Sequence, residues 1–294
     1  MSILSGHNKE LARIKQYNLQ SNVYNGRDPD RYYLEEYFKR RPALNSVLAT
    51  NFDNADATNV SNTTIRTAEK VANKDFEVLG TNMTSALSTF DTDRAGIKIE
   101  TAGADQDQAI IAPHLDTNQT AWSGIKWGTE NQVQWECSIT TGPDIADVKI
   151  WAGLKLTNDQ LIVTDDDQAY FKFQTDADNS EAFTTYTTLH FVHSISNTDY
   201  ISDLGITVAA DTNYHLKIII DSNRKISAFV NGVQYSLTST AGSTGGTTTG
   251  KGFTQSAALS DDIDFIPYIG VEAGAASAKH IIVHYEKMSR ILFE

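Results

Sequence analysis

The sequence predicts an all-β fold, a two-layer antiparallel β-sandwich preceded by a short helical N-terminal arm. Three observations carry the prediction. From about residue 51 onward the chain is built of short β-branched and aromatic runs separated by Asp, Asn, Gly, Ser and Thr, the texture of strands joined by turns. Within residues 214–237 the alternation is explicit. Leu216, Ile218 and Ile220 interleave with His215, Lys217 and Ile219, and Asp221, Ser222 and Asn223 make a turn. Ile226, Ala228 and Val230 then resume one face, and Asn231-Gly232 gives a two-residue hairpin turn before Val233 and Tyr235, so three consecutive antiparallel strands follow. Finally, 294 residues that are 40% apolar suffice for one large β domain with a real core, and no linker divides it.

The arm is read as residues 1–45 and the sandwich as residues 46–294. Asp28 is the expected N-cap of a helix with Pro29 in its first turn, early acids Asp30, Glu35 and Glu36, a basic end at Lys39, Arg40 and Arg41, and Pro42 as its stop. Each residue type suits that position. Tyr33, Leu34, Tyr37 and Phe38 would then form one aromatic-rich stripe at spacings of three and four. A weaker helix is expected over residues 8–19, with Leu11 and Ile14 on one side. Two short helices bury little together, so the stripe needs a partner surface, either the protein's own body or another subunit.

Beyond the hairpins, strands are expected at residues 96–101, 109–113, 132–139, 148–156, 169–174, 187–194, 265–272 and 279–288. The one low-complexity segment, TSTAGSTGGTTTGKG at residues 238–252, reads as a long flexible excursion at one end of the sandwich.

Charge is unevenly placed. The formal net charge is -13, yet residues 1–41 hold eight basic against five acidic side chains, leaving -16 on the remaining 253 residues. A mildly basic arm therefore precedes a strongly acidic body. The acidic body argues against nucleic-acid binding, which needs a concentrated basic surface. No apolar run is long enough for a membrane-spanning helix, and the start MSILSGHNKE lacks the apolar stretch of a signal peptide. The single cysteine, Cys137, excludes an internal disulfide framework and Cys-rich zinc sites.

The residues suggest no catalytic centre, cofactor or metal site. Glycan hydrolysis on such a sandwich needs two carboxylates at a defined separation, but Glu100, Glu136, Glu272 and Glu286 stand singly in their segments. Asp165, Asp166 and Asp167 are adjacent and read as a turn; a calcium site there would need another acid and backbone carbonyls. His190 and His193 should point to opposite faces of a strand. His280 and His284 would lie roughly 13 Å apart along one, too far for one metal. Cys137 shares a face with Trp135 and Ile139 and reads as a buried thiol. Trp135 and Trp151 sit in strand patterns and read as core, whereas Trp122 and Trp127, in TAWSGIKWGTEN, are weak candidates for stacking on a host glycan.

The segments NYHLKIIIDSNRKISAFVNGVQYSLT and DIDFIPYIGVEAGAASAKHIIVHYEKMSRILFE, with GIKIETAGADQDQAIIAPHL and IKWGTENQVQWECSI before them, resemble the concanavalin A-like or laminin G-like jelly roll of tailed-bacteriophage virion proteins. The likeness covers about residues 75–290. It implies a non-enzymatic structural or adsorption role in a phage particle assembled in the bacterial host cytoplasm, usually in many copies. It carries over neither a sugar site nor an enzyme site. On this reading the chain is a capsid decoration or head-associated protein, a homo-oligomer whose partners are capsid or tail subunits. Arg13, Lys15, Arg31, Lys39, Arg40 and Arg41 would dock on the particle around an anchor of Tyr33, Tyr37 and Phe38. The alternative is a tail-fibre or receptor-binding protein that recognises host surface glycan.

Overall fold

Residues 30–39, 76–83, 87–112, 127–155, 166–175, 187–242 and 246–292 are described by the computed structural model. They form β1 (Arg31–Glu36), β2 (Glu77–Leu79), β3 (Ser88–Asp91), β4 (Gly96–Glu100), β5 (Gln108–Ala112), β6 (Gln134–Thr141), β7 (Val148–Lys155) and β8 (Gln168–Gln174). After these come β9 (Thr188–Ile195), β10 (Thr198–Thr207), β11 (Asn213–Ile220), β12 (Ile226–Val230), β13 (Val233–Tyr235), β14 (Thr247–Thr248), β15 (Ile266–Ala273) and β16 (His280–Ile291). One sheet runs β13-β12-β11-β6-β16-β4-β3, with β1 also on β16; the other runs β14-β10-β9-β8-β7-β15-β5-β2. The pairings are antiparallel except that of β10 with β14. The architecture is a two-layer jelly-roll sandwich.

Alternation decides what fills the space between the sheets. The first sheet contributes Trp135, Cys137 and Ile139 from β6, Leu216, Ile218 and Ile220 from β11, and Ile226, Ala228 and Val230 from β12. The second contributes Ile150 and Leu154 from β7, Phe171 and Phe173 from β8, and Ile269 and Val271 from β15. The 214–237 hairpins form as the pattern requires. Asn231 and Gly232 both have positive φ, 50° and 78°, as a two-residue hairpin turn demands.

The expected helix over residues 28–42 is overturned. Arg31–Glu36 is strand β1, antiparallel to β16 from Arg31↔Ile291 to Glu36↔Glu286. Cap and dipole signals are worth about 1 kcal/mol each, less than the ladder, which pairs six residues and packs Tyr32 and Leu34 against the core. The supposed stripe is consequently split. Phe38 is buried against Phe76 at 5.1 Å between ring centroids, whereas Tyr37 is 41% exposed. The expected helix at residues 8–19 lies outside the described residues.

Strand β16 organises the first sheet. One side pairs with β6; the other pairs first with β4, through His280–Val283, and then with β1, through Glu286–Ile291. The β6 register shifts between Val283 and Tyr285, leaving His284 as the extra residue of a bulge. Such a bulge reverses the alternation downstream. Ile281 and Val283 face inward before it, and Glu286 and Met288 face inward after it, opposite Cys137 and Trp135. Glu286 is fully buried, accepts a hydrogen bond from Trp135 Nε1 at 2.8 Å, and has no partner among the described residues for its second oxygen.

The 238–252 segment is also not the free excursion expected. Thr247–Thr248 pair with Ser202–Asp203 of β10, and the Thr249 N–H donates to the Asp203 carbonyl at 2.9 Å. Immediately afterwards Ser236 N–H donates to the Gly250 carbonyl and Gly252 N–H to that of Gln234. The strap thus crosses from the edge of one sheet to the edge of the other.

Burial pushes the Glu286 carboxyl up to about 7, only partly opposed by the Trp135 hydrogen bond. An acid raised in the folded state costs stability as pH rises from its unfolded value, 4.5, to its folded one, on the order of 3 kcal/mol here. Glu286→Gln should raise the unfolding midpoint at pH 8 and change it little at pH 4, measured by thermal melts across that range. Phe38→Ala should cost about 3–5 kcal/mol in denaturant unfolding, whereas Tyr37→Ala should cost about 1 kcal/mol or less.

Candidate functional site

The bulge at His284 also supplies the outer face of the first sheet. It turns Tyr285 and Lys287 outward, where register places them beside β6 and β11. His215 and Tyr285 both stand opposite Ser138. One step along, Phe229, Lys217, Glu136, Lys287 and Glu35 form a continuous cross-strand row. Charges alternate along it, and Lys217 and Lys287 lie 3.7 and 3.8 Å from the two Glu136 oxygens.

Above this row the face opens into a cleft of about 750 Å³ lined by Glu136, Asn213, His215, Lys217, Phe229 and Tyr285, with the Asn231-Gly232 turn at its rim. Its polar groups are held in fixed positions. Tyr285 Oη donates to Glu136 Oε1 at 2.7 Å, and His215 Nδ1 lies 3.2 Å from the same hydroxyl. The single phenolic proton is committed to the carboxylate, so His215 Nδ1 must be the donor, which leaves Nε2 as the acceptor of the neutral ring. Burial and then the bond to Glu136 raise the Tyr285 phenol above its usual range. Burial works against the Lys287 charge, but the Tyr37 hydroxyl and the Glu136 carboxylate raise it overall. His215 N–H donates to Asn231 Oδ1 at 2.9 Å, and Asn231 N–H donates to the His215 carbonyl at 2.8 Å. Asn213 Nδ2 donates to Ser138 Oγ at 3.0 Å.

A second polar set lies on the outer face of the other sheet. Gln108, Glu272, Lys149 and Gln174 share one row, and Trp151, Lys172, His190 and Asp203 share the next. All eight are buried although they point away from the inter-sheet core. Lys149 pairs with Glu272, which also accepts from Gln108 Nε2 at 2.6 Å. Burial first, then the Lys149 charge, brings Lys172 down to about 7. Trp151 was expected in the core; it is buried, but on this outer face, over Gly270, where a Cβ would come within 2.5 Å of its ring. Its row is enclosed, whereas the first-sheet cleft is open.

The sequence-predicted site residues that are described do not assemble into one surface. Arg31 is buried, with its guanidinium on Ser289 and the Gln132 carbonyl, so it clamps the β1–β16 end of the sheet and cannot dock. Tyr33 is half-buried, Phe38 is core, and Lys39 is exposed with its ammonium 5.7 Å from the Tyr37 ring centroid. Trp127, offered as a glycan platform, is 1% exposed and lies in the core cluster. Its position beside the Gly128–Asp264 bridge gives the physical reason: the segment is closed over by backbone pairing. Arg13, Lys15, Arg40, Arg41 and Trp122 lie outside the described residues, as does Asp165. Asp167, buried just before β8, accepts from Ser260 Oγ at 2.5 Å. Among the described residues no group of three or more His, Cys, Asp or Glu converges on a metal site.

The cleft residues escape sequence reasoning because Glu136, Phe229 and Tyr285 come from three different strands and Asn213, His215 and Lys217 from a fourth. Only the bulged register brings Tyr285 to the face that carries the others.

No protein-family profile matches the chain, and no curated protein matches it in sequence. Among solved structures it is similar to a protein of unknown function from Shewanella oneidensis MR-1, with a TM-score of 0.48 and 9% identity over 99% of this chain and 96% of that one. It is also similar to alginate lyase A1-II', with a TM-score of 0.40 and 12% identity over 72% and 86% of the two chains. For a Bacillus licheniformis β-glucanase the values are 0.42 and 8%, over 74% and 94%. At these identities their activities stay with them.

The hydrogen-bond chain in the cleft makes a prediction. Tyr285→Phe removes the acceptor that fixes the His215 tautomer, so the Nε2–H form should rise, read from imidazole ¹⁵N shifts, while the fold measured by circular dichroism is kept.

Proposed function

We propose that the protein is a non-enzymatic structural component of a bacteriophage virion, a capsid decoration or head-associated protein tethered by its N-terminal segment with the sandwich displayed. The observation that carries this reading is the way the N-terminal segment joins the body. Strand β1 is zipped onto β16, Arg31 is clamped at its start, and the Leu292 N–H donates to the Asp30 carbonyl at 2.8 Å. A pull on residues before Asp30 is therefore borne by a six-residue ladder beside the chain's last strand. The likeness of residues 75–290 to phage virion modules and the contrast of basic N-terminal segment with acidic body support the same reading. Capsid or tail subunits would be its partners, assembly would take place in the bacterial cytoplasm, and many copies imply a homo-oligomer.

Arg31 and Phe38 serve the sandwich, which leaves Arg13 and Lys15 ahead of β1 as the cations of the tether, with Lys39, Arg40 and Arg41 beyond β1 to support them. The alternative reading, a tail-fibre or receptor-binding protein for host glycan, no longer rests on Trp127, and the open cleft favours it. Deleting residues 1–29 should leave the sandwich folded, with an unchanged thermal midpoint, and abolish incorporation into purified particles. Incorporation at the full-length level would sink the tether.

A further inference from the structure

We propose that the cleft on the outer face of the first sheet is a binding site for a neutral oligosaccharide. Its volume, about 750 Å³, falls within the ~300–1,000 Å³ common for small-ligand sites. Sugar rings present adjacent hydroxyls, each both donor and acceptor, together with an apolar C–H face. The cleft offers counterparts to both. Glu136 Oε1 is occupied by Tyr285, but among the described residues Oε2 has only the 3.7 Å contact with Lys217 and remains an acceptor. Asn231 uses its Oδ1 on the His215 N–H, which leaves its amide NH₂ to donate, and the inferred His215 tautomer leaves Nε2 to accept. Phe229, half-buried in the same row as Lys217, supplies a ring for the apolar face.

The charge pattern selects against an acidic ligand. Lys217 and Lys287 flank Glu136, and Glu35 stands in register beyond Lys287, so the floor has no net positive field. The overall charge of -13 repels polyanions at longer range. Because these polar groups are fixed by one another before any ligand arrives, little side-chain entropy is lost on binding. The proposal is independent of particle attachment and survives or fails separately from it.

The test titrates the full-length protein with cellohexaose, laminarihexaose, mannohexaose and N-acetylchitohexaose, with hexagalacturonate as the charged comparison, followed by amide chemical shifts and calorimetry. At least one neutral hexasaccharide should bind and shift the His215, Lys217 and Asn231 amides. Glu136→Gln and Phe229→Ala should each weaken that binding by about tenfold or more without altering the melting curve, while Lys98→Ala, outside the cleft, should leave it unchanged. Failure of all four neutral sugars to bind, binding of hexagalacturonate alone, or neutral-sugar binding indifferent to both cleft variants would overturn the assignment.

Discussion

A twelve-residue strand buried at the centre of a sheet must have its backbone groups paired along both edges, and β16 has more edge than one short neighbour can serve. Its β6 side is filled by a single strand. The opposite side is shared in series by β4 and β1. That sharing recruits the N-terminal segment into the body and sets the chain's two described ends beside each other. It also fixes the outer row in which Glu35, Lys287 and Glu136 meet.

The bulge in the same strand links core and surface. By reversing the alternation at His284 it exports Tyr285 and Lys287 to the cleft and imports Glu286 into the apolar interior. A carboxyl between Trp135 and Cys137 is an unfavourable core residue, as its raised protonation range shows. Burial first and the Glu286 charge second likewise hold the Cys137 thiol protonated. Without the shift Tyr285 and Lys287 would face the core, and a lysine there would be harder to accommodate. The surface arrangement and the buried acid are therefore two results of one inserted residue.

Much of the fold was legible in the sequence because its evidence was local. The 214–237 hairpins follow from alternation and Asn231-Gly232, and Cys137 takes the core position its parity indicates. β10 went unread because Thr198–Thr207 contains acids, a bulge and a glycine in place of a clean apolar face. β1 was misread because its capping signals are local and its ladder partner lies at the far end of the sequence, from Arg31↔Ile291 to Glu36↔Glu286. The cleft was illegible for a further reason: HIIVHYEKM carries no glycine to mark the bulge, so a regular count assigns Tyr285 and Glu286 to the wrong faces. Lys149, Lys172 and Glu272 were equally hidden, since a strand buried on both faces looks alternating when its second face is polar.

The threonine- and glycine-rich strap has a consequence for crowding. Wherever copies of a sandwich meet at high local concentration, bare strand edges invite pairing between molecules. On this side each edge is covered in part. β10 is occupied by Thr247–Thr248 and the chain beyond β13 is engaged by Gly250 and Gly252. A sequence that reads as a slack loop thus works as a selvedge, finishing two woven edges with one thread so that adjacent copies can stand close without knitting together.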